Sequence, residues 1–163
     1  MTDMSRDALF MNLAIMEAEK SVDDSVQNGA VLVQGAYNVI GVGFNGLTSG
    51  VPDTPVKWER PAKYMWVEHA ERNAIYDAAL QGNRTHGASM YCPWASCCDC
   101  ARAIVQAGIH TLYRLPMGRH EGWVESIHVG EAILHSAGVQ IVEMPITSVI
   151  IPQGLRLGQF RST

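Results

Sequence analysis

Two short clusters of metal-binding side chains constrain how this chain can fold more than any other feature of its sequence. The first is a His-Ala-Glu triplet at residues 69–71, and the second is a Cys-Cys-Asp-Cys run at residues 97–100. Zinc takes nitrogen and thiolate ligands in a tetrahedron, and a catalytic zinc site leaves one corner free for water. The pattern therefore predicts three ligands and one free carboxylate, namely His69, Cys97, Cys100 and Glu71. Because each cluster stands at the start of a helix-like segment, the fold has to bring two helix starts to one point.

Other interpretations of these residues stay open from the sequence alone. A Cys-x-x-Cys pair can be a redox pair or half of a structural zinc site. A four-cysteine site would have to recruit Cys92 or Cys98. Cys98 lies between the two predicted ligands and is expected to point away from the metal, and Cys92 ends a strand-like run that favours a small buried thiol. Glu71 has the alternative role of a helix N-terminal carboxylate.

Length and composition indicate one compact domain. The chain has 163 residues, of which 47% are hydrophobic and 17% charged, and this excludes a disordered chain. We expect a single domain over residues 1–163, with a core at about 7–143 and a C-terminal tail at 145–163. The cysteines are too crowded for a disulfide framework, and no signal peptide or membrane-spanning run is evident, so a cytoplasmic setting is expected. The formal net charge of −4 argues against a long polyanion as partner.

Helical and strand-like patterns alternate along the chain. Helices are predicted where apolar residues recur at helical spacing, and strands where short apolar runs are bounded by turn residues. The predicted helices cover residues 7–21, 69–80, 100–107 and 123–137, and the predicted strands cover residues 29–33, 39–44, 88–91, 109–115 and 139–143. Residues 45–64 are predicted to form a long functional or mobile loop.

Three segments resemble the deoxycytidylate (dCMP) deaminase branch of the cytidine deaminase superfamily. They are Gly-Val-Gly-Phe-Asn-Gly at residues 41–46, Glu-His-Ala-Glu-Arg-Asn-Ala-Ile at residues 68–75, and the run from Cys97 to Ile109. The resemblance implies an α/β fold, a three-layer α/β/α sandwich around a five-stranded mixed sheet with its fourth and fifth strands parallel. The helix predicted at residues 123–137 suits this fold, because parallel neighbours need a crossover connection.

The same resemblance implies zinc-dependent hydrolytic deamination of a free cytosine deoxynucleotide, with one Zn²⁺ per subunit. The expected reaction converts dCMP to dUMP and ammonia, with a 5-substituted dCMP or dCTP as alternative substrates. Glu71 would take a proton from the attacking water, pass it to N3 of cytosine and later protonate the departing amino group. Two alternatives stay open. One is a polynucleotide or tRNA deaminase of the same superfamily, which the acidic balance disfavours. The other is a non-catalytic zinc-stabilised binding protein, which the free carboxylate disfavours.

The resemblance also implies a set of substrate contacts. Asn45 is expected to hydrogen-bond a sugar hydroxyl, with a turn asparagine in left-handed geometry as the alternative. Trp94 is expected either to stack on the cytosine ring or to be a half-buried packing residue. Backbone groups of Ala95 and Ser96 are expected to contact the amine and carbonyl of the base. Ser96 stands where the family usually has proline.

The sequence offers two groups of candidates for a 5′-phosphate site. Many relatives carry basic residues just before the first strand, whereas residues 23–28 here read Asp-Asp-Ser-Val-Gln-Asn. Because a phosphate needs hydrogen-bond donors, other basic residues have to supply them. The candidates are Lys57, Arg60 and Lys63 in the long loop, or Arg114, Arg119 and His120 after the fourth strand.

Assembly and regulation are expected by resemblance only. Well-known members of the branch are hexamers activated by dCTP and inhibited by dTTP, so a homo-oligomer is expected, and a triphosphate effector would bring Mg²⁺ with it. Residues 46–50 could form an anion nest of backbone amides or an ordinary flexible loop. The apolar run at residues 149–152 is expected to be buried at a subunit interface.

Overall fold

The computed structural model describes residues 5–116 and 121–157. The helices in these ranges are α1 (Arg6–Ala18), α2 (Lys63–Trp66), α3 (Ala70–Leu80), α4 (Cys98–Gln106) and α5 (Val124–Ser136). The strands are β1 (Gly29–Gln34), β2 (Asn38–Phe44), β3 (Gly46–Leu47), β4 (Val67–Glu68), β5 (Ser89–Tyr91), β6 (Thr111–Arg114) and β7 (Gln140–Glu143). None of the described helices is both long enough and apolar enough to cross a membrane.

Five strands form one mixed sheet in the order β2-β1-β5-β6-β7. β1 pairs antiparallel with β2 and with β5, whereas β5 with β6 and β6 with β7 are parallel pairs. In this register Leu112 of β6 lies between Met90 of β5 and Ile141 of β7. α4 and α5 supply the crossover connections that the parallel pairs require. The predicted mixed sheet, with its fourth and fifth strands parallel, is confirmed.

Different elements cover the two faces of this sheet. α1 and the chain after β7 pack on one face, against Val31 and Val33 of β1. α3, α4 and α5 pack on the other face, against Ala30 and Leu32 of the same strand. Because successive side chains of a strand point to opposite faces, the apolar run of β1 contributes to both cores. The structure is the predicted three-layer α/β/α sandwich.

α3 lies directly on the backbone of β2. A Cβ atom on Gly43 would stand 2.4 Å from the backbone nitrogen of Ala74, and one on Gly41 would stand 2.4 Å from the backbone oxygen of Ala74. The face that α3 turns to the sheet is made of alanines at four-residue spacing, all fully buried: Ala70, Ala74 and Ala78. Small residues on both sides therefore bring helix and strand into backbone contact, and this contact fixes where α3 begins.

The predicted loop at residues 45–64 contains more structure than expected. β3 pairs antiparallel with β4, and α2 leads directly into β4. A 3₁₀ turn at Pro55–Trp58 lies between β3 and α2. Elements of two to four residues are too short to show a periodicity, so the sequence pattern carried no signal for them.

The apolar run at residues 149–152 packs partly within the chain. Val149 and Ile151 lie against the core on the α1 face of the sheet, whereas Ile150 is 69% exposed. Val149 and Ile151 are therefore packed by contacts within the chain, where burial at a subunit interface was expected. The homo-oligomer itself stays a prediction.

We expect Gly43→Ala to lower the free energy of unfolding by about 3 kcal/mol, because the added methyl meets helix backbone that cannot rotate away. Gly46→Ala is the matched control, since a Cβ at Gly46 meets nothing closer than the Phe44 ring at 3.6 Å. Its expected change is within about 0.5 kcal/mol. Urea titrations of both variants measure the difference. Equal stability of the two variants would contradict the close contact between α3 and β2.

Candidate active site

The predicted ligands and the free carboxylate meet at the N-terminal ends of two helices. His69 is the residue before α3 and Cys97 is the residue before α4, each with extended backbone. Glu71 and Cys100 lie in the first turns of the same two helices. The positive ends of both helix dipoles therefore face one point, where they favour thiolates and a carboxylate.

The three ligand atoms have the spacing of a tetrahedral zinc site. Nδ1 of His69 lies 3.5 Å from Sγ of Cys97 and 3.4 Å from Sγ of Cys100. Zinc bonds of about 2.0–2.1 Å to nitrogen and about 2.3 Å to sulfur, at a tetrahedral angle, separate nitrogen from sulfur by about 3.5 Å. Within the described residues this is the one group of His, Cys, Asp and Glu side chains close enough to hold a metal ion. These residues fit zinc with one corner left open.

Cys97 is prepared to bind a metal. A hydrogen bond with Cys100 is the largest cause that lowers the pKa of Cys97, to about 4, and His69 adds to it against the effect of burial. Cys97 is therefore a thiolate at neutral pH, and the thiolate is the form that binds metal ions.

The other two cysteines lie outside this group, as expected. Sγ of Cys98 lies 3.3 Å from the hydroxyl of Ser126, which donates to it. Cys92 is fully buried and accepts a hydrogen bond of 3.3 Å from the side-chain amide of Asn28. A four-cysteine metal site is therefore absent from the residues that the structure describes.

The Glu71 carboxyl is buried beside the ligands, with 2% of the residue exposed. Burial raises its pKa, and the charge of His69 partly opposes that rise. A carboxyl group with a raised pKa can both take up and release a proton near neutral pH, which is what an acid–base group needs.

Ion pairs join the starts of α3 and α4. The Glu68 carboxylate accepts hydrogen bonds from the backbone N–H of His69 at 2.8 Å and from Nε of Arg72 at 2.6 Å. Arg72 also lies 3.8 Å from the carboxylate of Asp99 in α4. Sequence reasoning did not single out these three residues. The four-residue spacing of Glu68 and Arg72 is the sequence feature that could have predicted their ion pair.

A cleft of about 780 Å³, including its solvent-open part, leads to Glu71 and the ligands. Apolar side chains with a few polar groups are the usual lining of a small-molecule site. The polar and charged lining residues are Asp23, Ser25, Asn28, Asn45, Arg60, Lys63, Tyr64, His69, Glu71 and Cys97, and the others are Val26, Val67, Ala70, Trp94, Ala95, Trp123 and Ile127.

Asn45 lines the cleft, but its amide is already engaged within the chain. Its Oδ1 accepts from the backbone N–H of Asn28 at 2.7 Å, and its Nδ2 donates to Asp23 at 3.1 Å and to the carbonyl of Val26 at 2.8 Å. Among the described residues no side-chain-bearing residue has a positive φ, so the left-handed turn is wrong for Asn45. Asn45 holds the segment before β1 against the cleft, and its expected contact with a sugar hydroxyl stays a prediction.

Two of the three consecutive residues predicted to contact the base form one wall of the cleft. Trp94 and Ala95 line the cleft, and Trp94 also packs against the core under α3 and α4. Trp94 is therefore a half-buried packing residue that also lines the cleft, and its stacking on the cytosine ring stays a prediction. Ser96 is 2% exposed and lies behind the wall beside Glu71, where its hydroxyl helps to lower the pKa of that carboxyl.

The C-terminal tail is hydrogen-bonded to two walls of the cleft. The indole N–H of Trp94 donates to the carbonyl of Leu157. The backbone N–H of Gln27 donates to the carbonyl of Arg156 at 2.8 Å, and the backbone N–H of Arg156 donates to Oε1 of Gln27 at 3.1 Å. The segment before β1 and the Trp94 wall are thus both hydrogen-bonded to two consecutive tail residues, Arg156 and Leu157.

An aromatic pair that lines the cleft, Tyr64 and Trp123, escaped the sequence analysis. The Trp123 ring stands edge-on to the His69 ring at 5.4 Å and to the Tyr64 ring at 5.9 Å. Trp123 was predicted only as the start of a helix. A large aromatic directly before a helix, with no core position to fill, was the signal.

The basic candidates separate into two groups. Arg60 and Lys63 line the cleft, whereas Lys57 and Arg114 do not. Arg114 is engaged by Glu131 at 2.6 Å and Glu143 at 3.5 Å. Arg119 and His120 lie outside the described residues. Residues 46–50 begin in β3 and do not line the cleft, and the effector nucleotides with their Mg²⁺ stay a prediction.

Comparisons with known proteins agree with this site. Residues 4–115 match the family model of the cytidine and deoxycytidylate deaminase zinc-binding region. Human deoxycytidylate deaminase is 38% identical over 106 residues, which cover 61% of this chain and 58% of that protein. An uncharacterized deaminase in the luxG 3′ region of Aliivibrio fischeri is 33% identical over 140 residues, covering 84% of this chain and 92% of that protein. The chain thus spans little more than half the length of the human relative.

One solved structure resembles both the fold and the sequence. The dCMP deaminase of cyanophage S-TIM5, in complex with dCMP and dUMP, superposes with a TM-score of 0.69 at 26% identity, covering 83% of this chain and 94% of that one. The region that matches the family model, residues 4–115, contains both helix starts and all three candidate ligands. The chain belongs to the cytidine and deoxycytidylate deaminase family.

Proposed function

We propose that the protein deaminates a free cytosine deoxynucleotide, converting dCMP and water to dUMP and ammonia. The observation that carries the proposal is a buried carboxyl group, Glu71, beside a His-Cys-Cys group with zinc spacing. A structural metal site has no use for such a carboxyl. The human relative is named a deoxycytidylate deaminase, and the cyanophage dCMP deaminase is described in complex with dCMP and dUMP, which supports this substrate class.

His69, Cys97 and Cys100 would hold the zinc ion. A bound catalytic zinc lowers the pKa of water toward neutrality and so supplies the nucleophile. Glu71 accepts a proton from the attacking water and delivers it to N3 of the base, which makes C4 electrophilic. Glu71 then takes the remaining proton from the hydroxyl now bonded to C4 and passes it to the amino group. As the C4–N bond breaks, ammonia leaves, the carbonyl of uracil forms at C4 and the first proton stays on N3. Burial raises the pKa of Glu71, and a raised pKa makes the carboxyl readier to hold the proton between the two transfers.

The remaining cleft residues position the substrate in this proposal. Trp94 offers an aromatic surface to the base, and Ala95 and Ser96 offer backbone groups to its polar edge. The cleft is open to solvent at one end and reaches buried Glu71 at the other, so a base can approach this carboxyl from the surface. A structure of a tRNA:A34 deaminase also resembles the chain, at a TM-score of 0.50 and 32% identity, but the net charge of −4 disfavours a polynucleotide substrate.

The function is tested by ammonia release from the zinc-loaded protein with deoxycytidine, dCMP, dCTP, 5-methyl-dCMP and a single-stranded oligonucleotide. We expect turnover of dCMP or its 5-substituted relative, with none of the oligonucleotide. Turnover of the oligonucleotide alone would replace the proposal with polynucleotide editing. No turnover of any free nucleotide would overturn it.

We expect Glu71→Gln to lower kcat by about 10²–10⁴-fold, because the amide cannot accept or return a proton. Zinc content, measured by atomic emission, should stay at one ion per chain, since Glu71 is not a ligand. The matched control is Glu19→Gln, at an exposed glutamate outside the cleft, with unchanged kcat. A Glu71→Gln protein with full activity would show that this carboxyl does not move the proton.

Removal of the metal with a chelator should abolish turnover, and added Zn²⁺ should restore it. Cys97→Ser should lose both zinc and activity, because a serine hydroxyl is a poor zinc ligand at neutral pH. Cys98→Ser should keep both, since Cys98 faces Ser126 and not the ligand group. Zinc content and ammonia release measure the two variants. Zinc loss in Cys98→Ser, or retention in Cys97→Ser, would contradict the ligand assignment.

A further inference from the structure

Among the charged side chains that line the cleft, Lys63 and Asp23 form an ion pair. Nζ of Lys63 lies 2.6 Å from Oδ1 of Asp23, and the two side chains are only 11% and 3% exposed. Lys63 also donates to the hydroxyl of Ser25 at 2.6 Å. Glu71 and the ligand cysteines belong to the metal end of the cleft. Arg60 is left as the cleft cation that makes no ion pair with any described residue.

The buried ion pair leaves Lys63 unsuited to binding an anion. Burial would raise the pKa of Asp23, but hydrogen bonds from Lys63 and Ser25 outweigh it and lower that pKa. Both partners are therefore charged, and moving Lys63 to a ligand would leave a buried carboxylate unpaired at high cost. Lys63 holds the segment before β1 in place and does not carry a spare positive charge.

The cleft has a buried end and an exposed end. Glu71 is 2% exposed, whereas Arg60 and its neighbour Tyr64 are exposed at the surface. Arg60 lies just before α2, three residues before Lys63 and four residues before Tyr64. A nucleotide whose base reaches Glu71 must extend its sugar and 5′-phosphate toward the exposed end.

We propose that Arg60 is the residue that recognises the 5′-phosphate and so makes the protein select nucleotides over nucleosides. This inference rests on the proposed function. A guanidinium presents a planar fork of donors that binds two phosphate oxygens at once, and it stays protonated at any working pH. Of the basic residues that sequence analysis left as candidates, Arg60 alone among the described ones lines the cleft without a carboxylate partner.

The test compares kcat/KM for dCMP and for deoxycytidine in the wild type, Arg60→Gln and Arg60→Lys. We expect Arg60→Gln to lower kcat/KM for dCMP by about 10- to 100-fold, the usual loss for a charge-assisted hydrogen bond, and to leave deoxycytidine unchanged. Arg60→Lys should recover part of the loss, because it keeps the charge and loses the fork. Arg84→Gln is the matched control, since Arg84 is also exposed and does not line the cleft.

A binding measurement separates this inference from the proposed function. Titration calorimetry with dUMP and deoxyuridine needs no turnover, so it reports on Arg60 even if the reaction is different. Tighter binding of dUMP than of deoxyuridine, lost in Arg60→Gln, supports the inference. An unchanged ratio of the two affinities, or an unchanged ratio of kcat/KM values, overturns it. Absence of deamination with an Arg60-dependent preference for dUMP would overturn only the proposed reaction.

Discussion

The backbone contact between α3 and β2 is the constraint on which the site depends. Gly41 and Gly43 remove the side chains that would hold the helix off the sheet, and the alanine face of α3 fills the space that remains. His69 and Glu71 stand at the start of this helix, so any increase in its distance from the sheet would move both. Protein interiors are packed too tightly to absorb such a shift elsewhere.

A second close contact supports the other half of the site. Gly130 of α5 lies against the stretch that carries Ser96 and Cys97, where a Cβ atom would stand 2.6 Å from the carbonyl oxygen of Ser96. α5 exists in this position because β6 and β7 are parallel and need a crossover between them. The sheet topology therefore places α5 against the segment that carries Cys97, and Gly130 allows this close approach. This contact and the ion pairs of Arg72 together hold the starts of α3 and α4 in place.

The sequence was most informative where chemistry or periodicity was local. Ligand types and spacing predicted that His69, Cys97 and Cys100 lie together, as they do in the structure. Apolar patterns located the five main strands and four of the helices. The Asn45 network and the Lys63–Asp23 pair were not predictable, because each joins residues that are distant in sequence. α2, β3 and β4 were missed because they are shorter than any period. The sequence likewise does not show which basic residue is available to bind a phosphate, because it does not show which carboxylates lie beside each one.

The hydrogen bonds of the tail have a consequence for how this protein can vary. On the tail's side, all three use backbone atoms, namely the N–H and carbonyl of Arg156 and the carbonyl of Leu157. Backbone atoms are the same in every residue except proline, so these hydrogen bonds tolerate most substitutions at Arg156. They depend on spacing, because one residue inserted or deleted before Arg156 would move these donors and acceptors away from their partners. Relatives of this chain should therefore differ freely at position 156 while keeping the number of residues between β7 and that position.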